Sequence, residues 1–119
     1  KILFVPMDAK LIEQVFINLI DNAIKYSNGA CEIKISVYEL GNKVAFEVID
    51  NGPGINEKVI DSIFDRFFTG ELNYSDSRKG VGLGLSICKS IINAHKGEIS
   101  VKNNLDKGAT FKFTLPKED

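Results

Sequence analysis

Three glycines alternate at Gly80, Gly82 and Gly84, and the run that follows, Leu85-Ser86-Ile87-Cys88-Lys89-Ser90-Ile91-Ile92, has helical apolar spacing. Glycine lets the backbone come close to a ligand. A helix start presents free N–H groups at the positive end of a dipole. Together they suit the binding of phosphate, although alternating glycines also serve plain turns. Two familiar phosphate loops are excluded. No Gly-x-x-x-x-Gly-Lys-Ser/Thr occurs, and the residues before the glycines, 69–79, are polar without apolar alternation, whereas a dinucleotide fold needs a buried strand there. That stretch reads as a flap ahead of the helix.

Two further groups carry possible chemistry. Asn18, Asn22 and Lys25 fall at i, i+4 and i+7 and share one helical face. Asparagine is unfavourable inside helices, so the stripe is either a solvated face or a face for metal and phosphate. Asp50-Asn51-Gly52-Pro53-Gly54-Ile55 places a carboxylate at a strand end before two glycines and a proline. It is either an Asx turn or a rigid turn that lies against a flat ligand.

The elements that must position these groups follow from periodicity. Residues 2–5 form a short apolar run ended by Pro6, an edge-strand pattern. Asp8 suits a helix N-cap, and Leu11, Ile12, Val15, Phe16, Leu19, Ile20 and Ala23 predict an amphipathic helix to about residue 26. Residues 31–38 and 44–49 alternate around Gly41-Asn42 and predict a hairpin with one buried face. Asn56 is expected to cap a helix over 57–67. After the glycine helix, residues 97–101 and 109–115 form a second hairpin. Hairpins need cover on one face only. The expected fold is therefore α/β, a two-layer sandwich with a mixed, mostly antiparallel sheet under three helices.

The chain's 119 residues suffice for one domain with its own core. Fifteen basic and sixteen acidic residues give a net charge of -1, which argues against nucleic acid as the main partner. No apolar run is long enough to span a membrane. Cys31 and Cys88 stand apart from each other and from any metal-ligand spacing, the pattern of reduced structural cysteines. The chain starts in an apolar run, as if in a strand already under way. It is read as a single domain, 1–119, and a C-terminal fragment of a larger protein.

Four of these segments, in order, resemble the boxes of the ATP-binding catalytic domain of bacterial sensor histidine kinases. That superfamily also contains gyrase, the 90 kDa heat-shock protein and the mismatch-repair MutL proteins. Residues 14–27 resemble its N box, 50–55 its first glycine box, Ile63-Phe64-Asp65-Arg66-Phe67-Phe68 its F box and Gly80-Val81-Gly82-Leu83-Gly84-Leu85 its second glycine box. Gly108-Ala109-Thr110-Phe111, with Phe113, Leu115 and Pro116, resembles the closing segment. A narrower likeness to potassium-responsive sensor kinases lies in Val5-Pro6-Met7-Asp8, 11–15, 50–54 and 63–65.

The resemblance implies a Bergerat-type ATP-binding fold, with ATP and Mg²⁺ as cofactors. Asp50 would accept from the adenine amino group, Gly52, Gly54 and Ile55 would shape the adenine pocket, and Thr110 would line its end. Asn22 would give an amide oxygen to Mg²⁺, helped by Asn18. Lys25 would offset phosphate charge and Tyr26 would lie against the nucleotide. Gly80, Gly82 and Gly84, with Val81, Leu83 and Leu85, would hold the phosphates, with Lys79 and Arg66 near the terminal one. Asn18, Lys25 and Arg66 are the residues expected to act in transfer. The flap from Phe68 to Lys79 matches the family's ATP lid.

Hydrolysing branches carry a glutamate where this chain has Asn18, and an amide is no general base. Transfer to a nucleophile elsewhere is therefore expected. The resemblance implies that this nucleophile is a histidine on a separate dimerisation domain of the same protein, with a response regulator after it. His95, the one histidine, resembles instead a structural position after the last helix. The resemblance further implies a monomeric cytoplasmic domain of an inner-membrane sensor. The competing readings are an ATP-hydrolysing clamp, a serine-kinase relative and a nucleotide sensor without catalysis.

Overall fold

The computed structural model describes residues 5–26, 32–65 and 84–117. In chain order they form helix α1 (Ala9–Tyr26), strands β1 (Ile33–Leu40) and β2 (Lys43–Asp50), a 3-10 turn (Ile60–Ser62), helix α2 (Gly84–Ala94) and strands β3 (Glu98–Asn103) and β4 (Ala109–Pro116). The strands lie in the order β1-β2-β4-β3 and every described pairing is antiparallel. Both helices pack on one face of this sheet, which gives the expected two-layer sandwich.

Helix α1 begins where the sequence places its cap. Asp8 Oδ1 accepts from Lys10 N and Leu11 N, each at 3.1 Å, and its carbonyl accepts from Ile12 N at 2.9 Å. Ile12, Val15, Leu19 and Ala23 are buried along one stripe. Below them, β4 turns Phe111, Phe113 and Leu115 inward, and β2 adds Val44 and Val48. Phe46 and Phe113 stack with centroids 4.9 Å apart, and Phe16 of α1 meets both rings edge-on. Aromatic pairs in such geometries add about 0.5–1.5 kcal/mol each beyond area burial. They fix how α1 sits on the sheet.

Two expectations change. The helix expected over 57–67 is not formed within the described residues 57–65. Bonds run instead from Val59 N to Asn56 O, Ser62 N to Val59 O and Asp65 N to Ser62 O, a three-residue period that gives tight turns and one 3-10 turn. Asn56 Oδ1 caps only Lys58 N. The apolar spacing serves this geometry as well: Ile63 is buried and Phe64 meets Phe111 edge-on. The first hairpin also lacks a uniformly buried face. Central β2 is covered, but on edge strand β1, Ile35 and Val37 remain 50% and 53% exposed, opposite Val48 and Phe46. The helices do not reach that far. The strand expected at 2–5 lies mostly outside the described residues.

His95 closes α2 against the start of α1. Its Nε2 accepts from Asp8 N at 2.9 Å and its Nδ1 lies 2.8 Å from Ile91 O. This pairing needs the neutral tautomer with the proton on Nδ1, and it occupies both ring nitrogens in structural bonds. The next residue, Lys96, has φ 64°. Lys96 N donates to Asn93 O and Gly97 N to Ile92 O, a Schellman ending whose left-handed position is usually glycine. Lys96→Gly is expected to stabilise the domain by about 0.5–1 kcal/mol. Urea denaturation checks this, and an unchanged or lower midpoint would count against strain at Lys96.

Candidate functional site

The site is built around the end of β2. Asp50 is only 8% exposed, and a buried carboxylate needs partners. Its Oδ1 accepts from Gly52 N at 2.9 Å and from Ala109 N at 3.3 Å. Among the described residues no hydrogen bond reaches Oδ2. The Asx-turn reading thus describes one oxygen of this carboxylate, Oδ1.

Neighbouring backbone holds Asp50 from behind. Gly108 has φ 89°, and a Cβ there would lie 1.9 Å from Asp50 O. Only glycine allows β4 to start this close to the end of β2. Asn104 Nδ2 donates to Asp50 O at 3.0 Å, and Asn104 Oδ1 accepts from Thr110 Oγ1 at 2.6 Å. Asn51 Oδ1 accepts from Glu32 N at 2.8 Å, tying the turn to the residue before β1. Asn103 reaches Ile55 and Glu57 on the far side of the turn.

A second cluster joins α1 to the start of α2. Asn18 Oδ1 accepts from Gln14 Nε2 at 3.1 Å and Asn18 Nδ2 donates to Gly84 O at 3.3 Å. The asparagine stripe therefore meets the last glycine of the alternating run. Asn22, one turn on, is half-buried and its side chain makes no hydrogen bond to another described residue; Lys25, nearly a further turn on, is half-buried too.

The other expected positions divide as follows. Gly52, Gly54 and Ile55 form the turn after Asp50, and Ile55 and Leu85 pack partly against the core. Thr110 pairs with Ile49 and Lys102, so strand alternation turns it to the sheet face opposite Asp50. Its hydroxyl braces Asn104, and Ala109 takes the inner place instead. Arg66, Lys79, Gly80, Val81, Gly82 and Leu83, the lid from Phe68 to Lys79 and the side chain of Tyr26 lie outside the described residues. Gln14, Asn103 and Asn104 were not anticipated. Two successive asparagines in a hairpin connection signal side-chain bonding to backbone, but only the fold shows to which backbone.

The histidine kinase-, DNA gyrase B- and HSP90-like ATPase family matches residues 7–119. The chain belongs to that family. Within it the chain is 56% identical to the sensor protein KdpD of Clostridium acetobutylicum, over 98% of this chain and 13% of that protein's length. It therefore spans about an eighth of that relative. The nucleotide-free catalytic domain of histidine kinase ThkA superposes with a TM-score of 0.80 at 39% identity, covering 95% of this chain and 70% of that one. ThkA in complex with the response regulator TrrA matches at a TM-score of 0.73 and 38% identity, over 93% and 30%. ShkA in complex with AMPPNP matches at 0.80 and 28%, over 98% and 23%. The family expected from the four boxes is the family found, and with it the histidine-kinase type of ATP-binding fold and catalytic domain.

Beneath the two clusters, Cys88 of α2 is fully buried with Sγ 3.8 Å from Val15 O. Burial pushes its thiol from the ordinary 9.0 up to about 11, partly offset by Asn18. Its folded-state affinity for a proton exceeds that of the unfolded chain, so this stabilisation is intact below pH 9 and is lost as pH rises toward 11. Stability is expected to fall about 1.4 kcal/mol per pH unit more steeply across that window in the wild type than in Cys88→Ala. Urea titrations at pH 8, 9, 10 and 11 check this, and parallel slopes would refute it.

Proposed function

We propose that this domain binds Mg-ATP and donates the γ-phosphoryl group to a histidine on a separate dimerisation domain of the same protein, within a two-component pathway. The observation that carries the reading is Asp50, a nearly buried carboxylate whose Oδ1 is fixed by two N–H groups while Oδ2 takes no hydrogen bond from a described residue. An acceptor held in one direction suits the exocyclic amino group of adenine; guanine, with a carbonyl there, would be repelled. The AMPPNP bound by ShkA, an ATP analogue, supports a nucleotide at this fold.

No group of three or more histidine, cysteine or acidic residues able to hold a metal occurs among the described residues. The donor set fits an ion that arrives with the nucleotide. Magnesium keeps several waters and bridges phosphates, needing few protein ligands, and Asn22 is the amide available to it. Bound there, the ion would offset charge on the phosphates. Lys25, and by resemblance Lys79 and Arg66, would offset the rest. Both ends of the Asn18 amide are engaged with Gln14 and Gly84. It acts by holding the glycine helix in place, and it offers no base to activate water. This favours transfer over hydrolysis. The two structural bonds of His95 support a structural role for it rather than that of acceptor.

The likeness to KdpD supports a potassium-responsive sensor as the parent protein, with a response regulator downstream as ThkA has TrrA. The same likeness supports placing this domain on the cytoplasmic side of an inner-membrane protein; no helix among the described residues is long and apolar enough to cross a membrane.

Calorimetric titration with Mg-ATP should show saturable binding that Asp50→Asn weakens at least about tenfold, the loss of one charge-assisted hydrogen bond. The wild type should label an added histidine-bearing domain faster than it releases free phosphate, and should not label itself. Equal binding by both proteins would remove the adenine site. Phosphate release outpacing transfer would restore the hydrolysing clamp.

A further inference from the structure

Asn103, the last residue of β3, lies 48 positions from Ile55 and grips it at both ends of one peptide unit's neighbourhood. Its Oδ1 accepts from Ile55 N at 2.8 Å and its Nδ2 donates to Ile55 O at 2.8 Å. The second hydrogen of Nδ2 goes to Glu57 Oε2 at 2.7 Å. The amide's orientation is unambiguous, because flipping it would oppose like groups at all three contacts. A side chain here does what a neighbouring strand does elsewhere. It presents an acceptor and a donor in register to one residue.

That residue ends the turn whose first residue is Asp50. Gly54, with φ 86°, lies so close beneath Asn103 that a Cβ on it would come within 2.9 Å of Oδ1. The turn Asp50–Ile55 is thus held at one end by Ala109 N on Asp50 and at the other by Asn103 on Ile55. Gly52 N, which orients the Asp50 carboxylate, lies between the two anchors. Release of the distal anchor frees the turn to flex, and the Gly52 bond loosens with it.

We propose that Asn103 is a positioning residue for base selection: by clamping Ile55 it fixes the direction in which Asp50 Oδ2 accepts, and so sets the preference for a base carrying an amino group over one carrying a carbonyl. This rests on the nucleotide reading of the Asp50 site. Asn103 itself touches no ligand, and the phosphate-binding elements on α1 and α2 do not depend on it.

The test compares Mg-ATP, Mg-GTP and tripolyphosphate binding by wild type, Asn103→Ala and Glu57→Ala, each well below its melting temperature. In Asn103→Ala, ATP affinity should fall about tenfold, the effect of losing a part-buried hydrogen-bonded pair, while GTP and tripolyphosphate change little, so that the ATP:GTP ratio collapses. Glu57 is exposed, so Glu57→Ala should fold normally and shift the ratio the same way by a smaller factor. A merely structural role would weaken all three ligands in equal proportion. An unchanged ratio in both variants overturns the inference while leaving wild-type binding, and so the nucleotide reading, standing. A wild type that binds neither nucleotide overturns both.

Discussion

A single carboxylate oxygen joins the sheet to the site. Asp50 Oδ1 accepts from Gly52 N in the turn and from Ala109 N on β4. The first bond shapes the turn and the second fastens the end of β2 to the start of β4, the two central strands. Burial of an ionised carboxylate costs several kcal/mol unless its lone pairs are used. One half of this group is used by the fold, and its burial is tolerable only because of that. The other half takes no hydrogen bond from a described residue. On the proposed reading, recognition is a by-product of how the central strands are closed, so neither can be altered alone.

This explains what surrounds Asp50. Gly108 is needed because β4 begins within van der Waals reach of the β2 backbone. The two asparagines at the end of β3 and just past it satisfy backbone groups which a strand ending in a turn leaves without ladder partners: Asn104 serves Asp50 O and Asn103 serves Ile55. Thr110, on the reverse face, orients Asn104. Several polar side chains that look unrelated along the chain therefore complete one hydrogen-bond account.

Much of this was legible beforehand where period and punctuation agree. Asp8 and the α1 stripe, the Gly41-Asn42 hairpin and the second hairpin each carry a local signal strong enough to survive tertiary context, and Asp50, Gly52 and Gly54 stood out because a carboxylate, two glycines and a proline in one turn are unusual. The segment after Asn56 was misread because residues at i, i+3 and i+4 satisfy a chain of three-residue turns as well as an α-helix. The exposed inner face of β1 was invisible because alternation reports which residues share a face, not whether a helix reaches over it. Thr110 falls, by one residue of strand alternation, on the side of the sheet opposite Asp50, which the local sequence does not reveal. Gln14, Asn103 and Asn104 lay beyond reach for a plainer reason: their partners are backbone groups or amides chosen by the fold.

Asn18 shows how the two clusters divide labour. In mid-helix, an asparagine costs roughly half a kcal/mol relative to alanine, and here it gains bonds to Gln14 and to Gly84 at the start of α2. A glutamate at this position would bring a negative charge to a backbone carbonyl, which is repulsive, and could not donate to it. The amide therefore suits a site in which α2 must be held by its first residue, with its N–H groups left for an anion. On the proposed reading, the residue that keeps the phosphate-binding helix in place is the one whose chemistry cannot activate water, so retention of the bound phosphoryl group until a nucleophile arrives follows from how the two helices are joined.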